Sequence, residues 1–93
     1  MIRNYKDKKT ELIAQKKPLK GFPSNLINVA ARKIYMLANA SELNDLRSPP
    51  GNRLEALKGD RKGQHSIRIN RKWRICFGWT NTGPIDVEIT DYH

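Results

Sequence analysis

Ninety-three residues suit one small domain, residues 1–93, with a single modest core and no internal repeat. At 38% hydrophobic and a mean hydropathy of -0.73, the chain has no apolar run that could span a bilayer, and Met1-Ile2-Arg3-Asn4-Tyr5 lacks a signal peptide's apolar stretch. A lone Cys76 excludes an internal disulfide, and two distant histidines without a C-x-x-C motif argue against a metal site. No cofactor motif is present, and a cytoplasmic location is expected. Eighteen Lys and Arg against nine Asp and Glu give a formal net charge of +9, which favours a polyanionic partner, nucleic acid first. Basicity alone does not separate a nuclease from a binder.

Residues 1–5 are expected to form a short strand with Ile2 and Asn4 on one face. Asp7 is a candidate cap for a short helix through Thr10-Glu11-Leu12-Ile13-Ala14, because its carboxylate can accept orphan backbone N–H groups. Residues 16–23 are a basic connector rich in breakers, with Phe22 as its anchor to the core. Ser24 then caps the main helix, about 24–39, on which Leu26, Ala30, Ile34 and Leu37 recur at helical spacing. Arg32 and Lys33 fall off that stripe and are expected in solvent. Ser41 caps a further short helix over 42–46, which Ser48-Pro49-Pro50-Gly51-Asn52 ends, with Gly51 permitting the turn.

The last forty residues change period from helical to two. Leu54 and Ala56, then His65, Ile67 and Ile69, then Trp73, Ile75, Phe77 and Trp79, then Ile85, Val87 and Ile89 occupy alternate positions. Asn70-Arg71 and Asn81-Thr82-Gly83-Pro84 are the tight connections. The expected fold is α+β, a small mostly antiparallel sheet with an N-terminal strand and two to three helices on one face.

The same parity directs Glu55, Arg68, Arg74, Glu88 and Tyr92 to the opposite, open face. A carboxylate, two guanidiniums and a phenol beside the imidazole of His93 suit a phosphodiester. Arginine binds phosphate oxygens in pairs, and an acid–base pair can take a proton from a ribose 2′-OH and protonate the leaving 5′-oxygen. The residues alone leave alternatives open. Arg74 is equally read as a cross-strand partner of Glu88, Glu55 as an exposed strand residue and Lys58 as a solvated turn charge. His65 is read as a hydrogen-bonded core histidine. Asp91 and His93 share the core parity, so a strand end must turn them outward if they act.

Three segments and an ending make the pattern specific: Arg53-Leu54-Glu55-Ala56-Leu57, Lys58-Gly59-Asp60-Arg61, Asn70-Arg71-Lys72-Trp73-Arg74 and Asp91-Tyr92-His93. Together they resemble the HigB-type killer toxins of the RelE/ParE superfamily, most strongly over 53–93 and weakly over 6–22. The resemblance implies a RelE-like domain whose mRNA-cleaving site is lined by the residues matching Lys58, Arg74, Asp91, Tyr92 and His93. Glu55 departs from the pattern, since some relatives have a histidine there, although a carboxylate can serve as base beside a histidine acid. Arg53, Arg61, Arg68, Arg71 and Lys72 are the expected RNA-binding cations. The resemblance also implies mRNA on the ribosome as substrate and a HigA-type helix-turn-helix antitoxin as partner, with operator DNA reached only through that antitoxin.

The expectation is therefore a ribosome-dependent, metal-independent endoribonuclease toxin. Two rivals stand beside it. One is a ParE-type inhibitor of DNA gyrase, which cleaves nothing and has no use for the Asp-Tyr-His ending. The other is a non-catalytic nucleic-acid-binding module.

Overall fold

Alternation in the last third of the chain produces a meander of four antiparallel strands. The computed structural model describes residues 1–91, so the expectations for Tyr92 and His93 lie outside the described residues. The strands are β1 (Glu55–Ala56), β2 (Gln64–Arg68), β3 (Trp73–Thr80) and β4 (Gly83–Asp91), side by side in that order. Ile67 lies opposite Ile75, and Ile75 opposite Ile89, so each buried row crosses the sheet in register. With Trp73, Phe77 and Val87 they form the floor of the core. Phe77 has no exposed surface, and trimming such a ring to alanine costs about 3–5 kcal/mol.

Two helices cover that floor, α1 (Lys8–Ala14) and α2 (Ile27–Asn39). Asp7 caps α1 as expected, its Oδ1 accepting the Thr10 N–H at 2.9 Å. The Thr10 hydroxyl, fully buried, accepts the Ile89 N–H at 2.9 Å and ties α1 to β4. Ile27, Ala30, Ile34 and Leu37 bring α2 onto the sheet. Phe22 anchors the 16–23 connector by an edge-on contact with Trp73, ring centroids 5.0 Å apart. The result is the α+β arrangement read from the sequence. Among the described residues, no helix is long and apolar enough to cross a membrane.

The N-terminal segment runs parallel to β4, with Arg3 N–H to Pro84 C=O at 2.8 Å and Lys6 N–H to Val87 C=O at 2.9 Å. Among the described residues this segment forms a single bridge, Tyr5 to Val87, in place of the expected strand over 1–5. The Asn4 side chain replaces part of the ladder, donating to Asp86 Oδ1 at 2.9 Å and accepting the Asp86 N–H at 3.1 Å.

Several local expectations change. Leu26 N–H bonds to Pro23 C=O at 3.0 Å, so the chain has already turned at Ser24. A 3-10 turn at Ser24–Leu26 therefore precedes the helix, and Ser24 is not its cap. The 42–46 element is also 3-10, Leu43–Arg47, and the Asp45 carboxylate accepts the Ser41 and Glu42 N–H groups. Positive φ falls on Arg53 (47°) rather than on Gly51. Lys33 is buried, not solvated, because its ammonium donates to Asn52 Oδ1 at 2.6 Å. Asn52 in turn donates to the Leu46 and Ser48 carbonyls, locking the 43–53 segment onto α2. Burial holds the Lys33 pKa below its ordinary value, with Arg32 adding to the effect. β1 is only two residues long, and Leu57 rather than Ala56 is buried.

The largest change is at Ile85. The β3–β4 register shifts between Cys76 and Gly78, with an extra β4 residue and a positive φ of 50° at Asp86. Such a bulge reverses side-chain parity beyond it. Ile85 thus lies opposite Gly78, on the polar side, where a Cβ on Gly78 would meet Ile85 Cγ1 at 2.9 Å.

Candidate functional site

Register determines what meets on the polar face. Glu55 on β1 lies opposite Ser66, Ser66 opposite Cys76, and Cys76 opposite Glu88, a single row across four strands. Ser66 and Cys76 in the middle are fully buried, so this face is closed at its centre and open at its rim.

Arg74 stands one step along β3 from this row. Its Nη1 donates to Glu55 Oε1 at 3.1 Å and to Ser66 Oγ at 3.2 Å. The Arg74 side chain is only 20% exposed, whereas Glu55 is 54% exposed. Arg53, Leu54, Glu55 and Arg74 line a pocket of about 300 Å³. A larger trough of about 450 Å³ follows residues 2–11, but the Lys8–Glu11 pair in it is an ordinary surface contact between helix neighbours.

A second pair occupies the other half of the face. Arg61 Nη1 lies 3.1 Å from Glu88 Oε1 and donates to Gln64 Oε1 at 3.1 Å, while Lys6 Nζ is 3.8 Å from the same Glu88 oxygen. Glu88 Oε1 is buried, and no hydrogen bond is aligned on it among the described residues, so the attraction there is that of opposite charges. The expected Arg74–Glu88 alternative is therefore corrected. Glu88 serves Arg61 and Lys6, and Arg74 reaches the opposite way to Glu55.

Burial pushes the Cys76 thiol above its ordinary pKa, opposed by Arg61, Arg74 and Lys6 and reinforced by Glu88. At neutral pH the group is a thiol, not a nucleophile.

The remaining sequence-derived candidates are more dispersed. Lys58 is exposed ahead of the Gly59–Arg61 turn and makes no ion pair among the described residues. Gly59 carries a φ of 65°, the reason for glycine after that lysine. Arg68 is opposite Arg74 in register, and its Nε donates to the Asn70 carbonyl at 3.0 Å. Arg71 and Lys72 are exposed in the β2–β3 connection, whose turn is held by Asn70 Oδ1 accepting the Lys72 and Trp73 N–H groups. Lys72 also lies 3.7 Å from Asp91 and 5.6 Å from the Trp73 ring centroid. Asp91 lies opposite Trp73 and so keeps its core parity, exposed at the strand end rather than turned to the face of Arg74. His65 is half-buried against Phe77, ring centroids 6.2 Å apart, so it packs as expected, but its buried Nδ1 has no hydrogen-bond partner among the described residues.

The fold thus brings Arg53, Glu55 and Arg74 together and sets Arg61 in a separate cluster. Two members were missed in the sequence. Ser66 has the parity of Arg68, and pairing Ile67 with Ile75 would have set it beside Arg74. Lys6 carries no periodic signal and reaches Glu88 only because the N-terminal segment lies along β4.

The α+β scaffold, with partly exposed arginines paired to acids on one sheet face, fits the RelE-like class of small toxins. The family model for the "RelE-like toxin of type II toxin-antitoxin system HigB" matches residues 3–93, and the chain belongs to that family. It is 40% identical over 82 residues to Toxin HigB-1 of Vibrio cholerae serotype O1, covering 87% of this chain and 86% of the relative. It is 30% identical to Endoribonuclease HigB of Proteus vulgaris over 93 residues, all of both chains. An uncharacterized protein of Haemophilus influenzae is 44% identical over 59 residues, 63% of this chain and 58% of that one.

Proposed function

We propose that this toxin is an endoribonuclease that cuts messenger RNA on the ribosome by attack of the ribose 2′-OH. The observation that carries the proposal is Arg74, held between an exposed carboxylate and a buried hydroxyl at the wall of a basic pocket. A planar guanidinium fixed in this way is suited to two oxygens of a phosphate and to the charge that grows on them during displacement. Membership of the family and the endoribonuclease named among its relatives support the same chemistry.

Glu55 takes the proton from the 2′-OH, and the 2′-oxygen attacks phosphorus. The 5′-oxygen leaves with a proton supplied by His93. The products are a 2′,3′-cyclic phosphate and a free 5′-hydroxyl. Lys58 adds positive charge for the substrate phosphate, Asp91 supports the imidazole, and Tyr92 orients a base. Arg53, Arg68, Arg71 and Lys72 hold the RNA backbone. Side chains supply acid, base and cation, so the chemistry asks for no metal. The toxin acts in the cytoplasm and is held in check by a HigA-type helix-turn-helix antitoxin, through which alone it reaches operator DNA.

Sequencing RNA 5′ ends from cells expressing the chain tests the proposal. Cuts in coding regions at a fixed position in the reading frame, with 5′-hydroxyl ends, are the expected result. DNA breaks with intact mRNA would replace it with gyrase inhibition, and intact RNA and DNA would leave a binding module.

A further inference from the structure

Among the described residues, Arg74 Nη1 donates to two unlike acceptors. Glu55 is more than half exposed, and a pair so open to water is worth at most about 1 kcal/mol. Ser66 has no exposed surface and is locked into the sheet, opposite Glu55 on one side and Cys76 on the other. An incoming phosphate can displace a solvent-exposed carboxylate from a guanidinium. It cannot displace a hydroxyl buried beneath that guanidinium.

From this asymmetry we infer that Ser66 is a positioning residue that keeps Arg74 aimed at the scissile phosphate once substrate has displaced Glu55. The proposal rests on Arg74 being the phosphate ligand. Before substrate binds, the two acceptors hold Nη1 together, and Glu55 is engaged. As the phosphate arrives, Arg74 exchanges one oxygen anion for another and Glu55 is released beside the ribose. Ser66 keeps its contact throughout, so the side chain does not have to be ordered again during the reaction. No bond to substrate is made by Ser66 itself.

The test compares wild type, Ser66→Ala, Arg74→Lys, the Ser66→Ala/Arg74→Lys double variant and, as the inactive control, Arg74→Ala. Thermal melting is measured alongside single-turnover cleavage of mRNA on programmed ribosomes. A hydrogen bond to a charged group contributes on the scale of roughly ten- to a hundredfold in an equilibrium or rate, so Ser66→Ala should lower kcat/KM by about that factor. Most of the loss should fall on kcat, because the guanidinium matters most when charge builds on the phosphate. In the Arg74→Lys background, which keeps a measurable residual rate, Ser66→Ala should cost much less than in wild type, since the serine acts through its contact with the guanidinium. A merely structural serine would instead lower melting in both backgrounds and reduce cleavage by the same factor in each. Should Ser66→Ala not fold, Ser66→Cys keeps the shape with a poorer acceptor and should show the same coupling, to a smaller degree. Wild-type cleavage by a folded Ser66 variant, while Arg74→Ala is dead, overturns the role of Ser66 alone. Full activity in Arg74→Ala overturns the phosphate assignment beneath it.

Discussion

Two guanidinium–carboxylate pairs of equal length, 3.1 Å, occupy one face of one sheet, and they have opposite characters. In the Arg74–Glu55 pair the acid is 54% exposed. In the Arg61–Glu88 pair the acid is only 18% exposed, with Lys6 as a second cation beside it. The first carboxylate can move into water when a phosphate takes its place at Arg74; the second would itself be left charged in a poorly solvated place. Equal distances therefore conceal different functions. The outer pair is free to exchange with a ligand, while the inner pair fixes the Gly59–Arg61 turn against β4.

Breaking the outer pair at its cation should have the largest effect. Arg74→Ala is expected to abolish cleavage, and Arg74→Lys to restore little of it, because lysine keeps the charge but loses the planar fork. Full activity in the lysine variant would mean that the position supplies general charge only. Removal of His93 should likewise end growth arrest while melting stays unchanged. Unaltered toxicity of the shortened protein would take His93 out of the mechanism.

Glu55→Gln keeps the shape of the outer pair and removes its charge. It should slow the chemical step by roughly a hundredfold or more, the scale of a lost general base. Since the glutamine competes less with phosphate for Arg74, RNA affinity should not fall with the rate. Near-wild-type rates would make Glu55 structural.

The inner pair should respond differently. Arg61→Ala leaves Glu88 only the more distant Lys6 and should lower the melting temperature by several degrees, since about 1 kcal/mol moves a domain of this size by roughly 4–8 °C. The salt dependence of RNA binding should hardly change. A drop of about 0.7 in the log–log slope would instead assign Arg61 to a phosphate.

The smallest effect belongs to Cys76, between the two pairs. Its folded-state pKa is raised by burial, so the native chain holds the thiol proton more tightly than the unfolded chain does. The contribution is fully present below the unfolded thiol's pKa, about 8.5, and is lost as pH rises above it. Stability should therefore fall on the alkaline side, and Cys76→Ala should flatten that fall. Identical alkaline profiles would detach the thiol from the neighbouring charges.

Much of this was legible in the sequence for a local reason. Period-two alternation depends on nothing beyond the strand itself, so Ile67, Ile69, Ile75, Phe77, Val87 and Ile89 could be assigned to the core directly. The Asp7 cap and the Phe22 anchor were legible in the same way. Lys33 was misjudged because helical spacing reports direction and not what waits there, namely the Asn52 amide 19 residues later. Ile85 was misjudged because a one-residue bulge leaves the alternation of letters intact while reversing the face.

The sequence by itself determined the α+β class, the basic character, the family and the candidate residues Glu55, Lys58, Arg74, Asp91, Tyr92 and His93. Only the tertiary structure decided which acid serves which arginine. Parity assigns Glu55 and Glu88 alike to the polar face, and both are carboxylates of the same charge. The strand register and the turn carrying Arg61 join Glu88 to one guanidinium and leave Glu55, at the sheet's open edge, for the other. Solvent access at that edge, a property of the assembled sheet and of no single residue, is what separates an exchangeable pair from a fixed one.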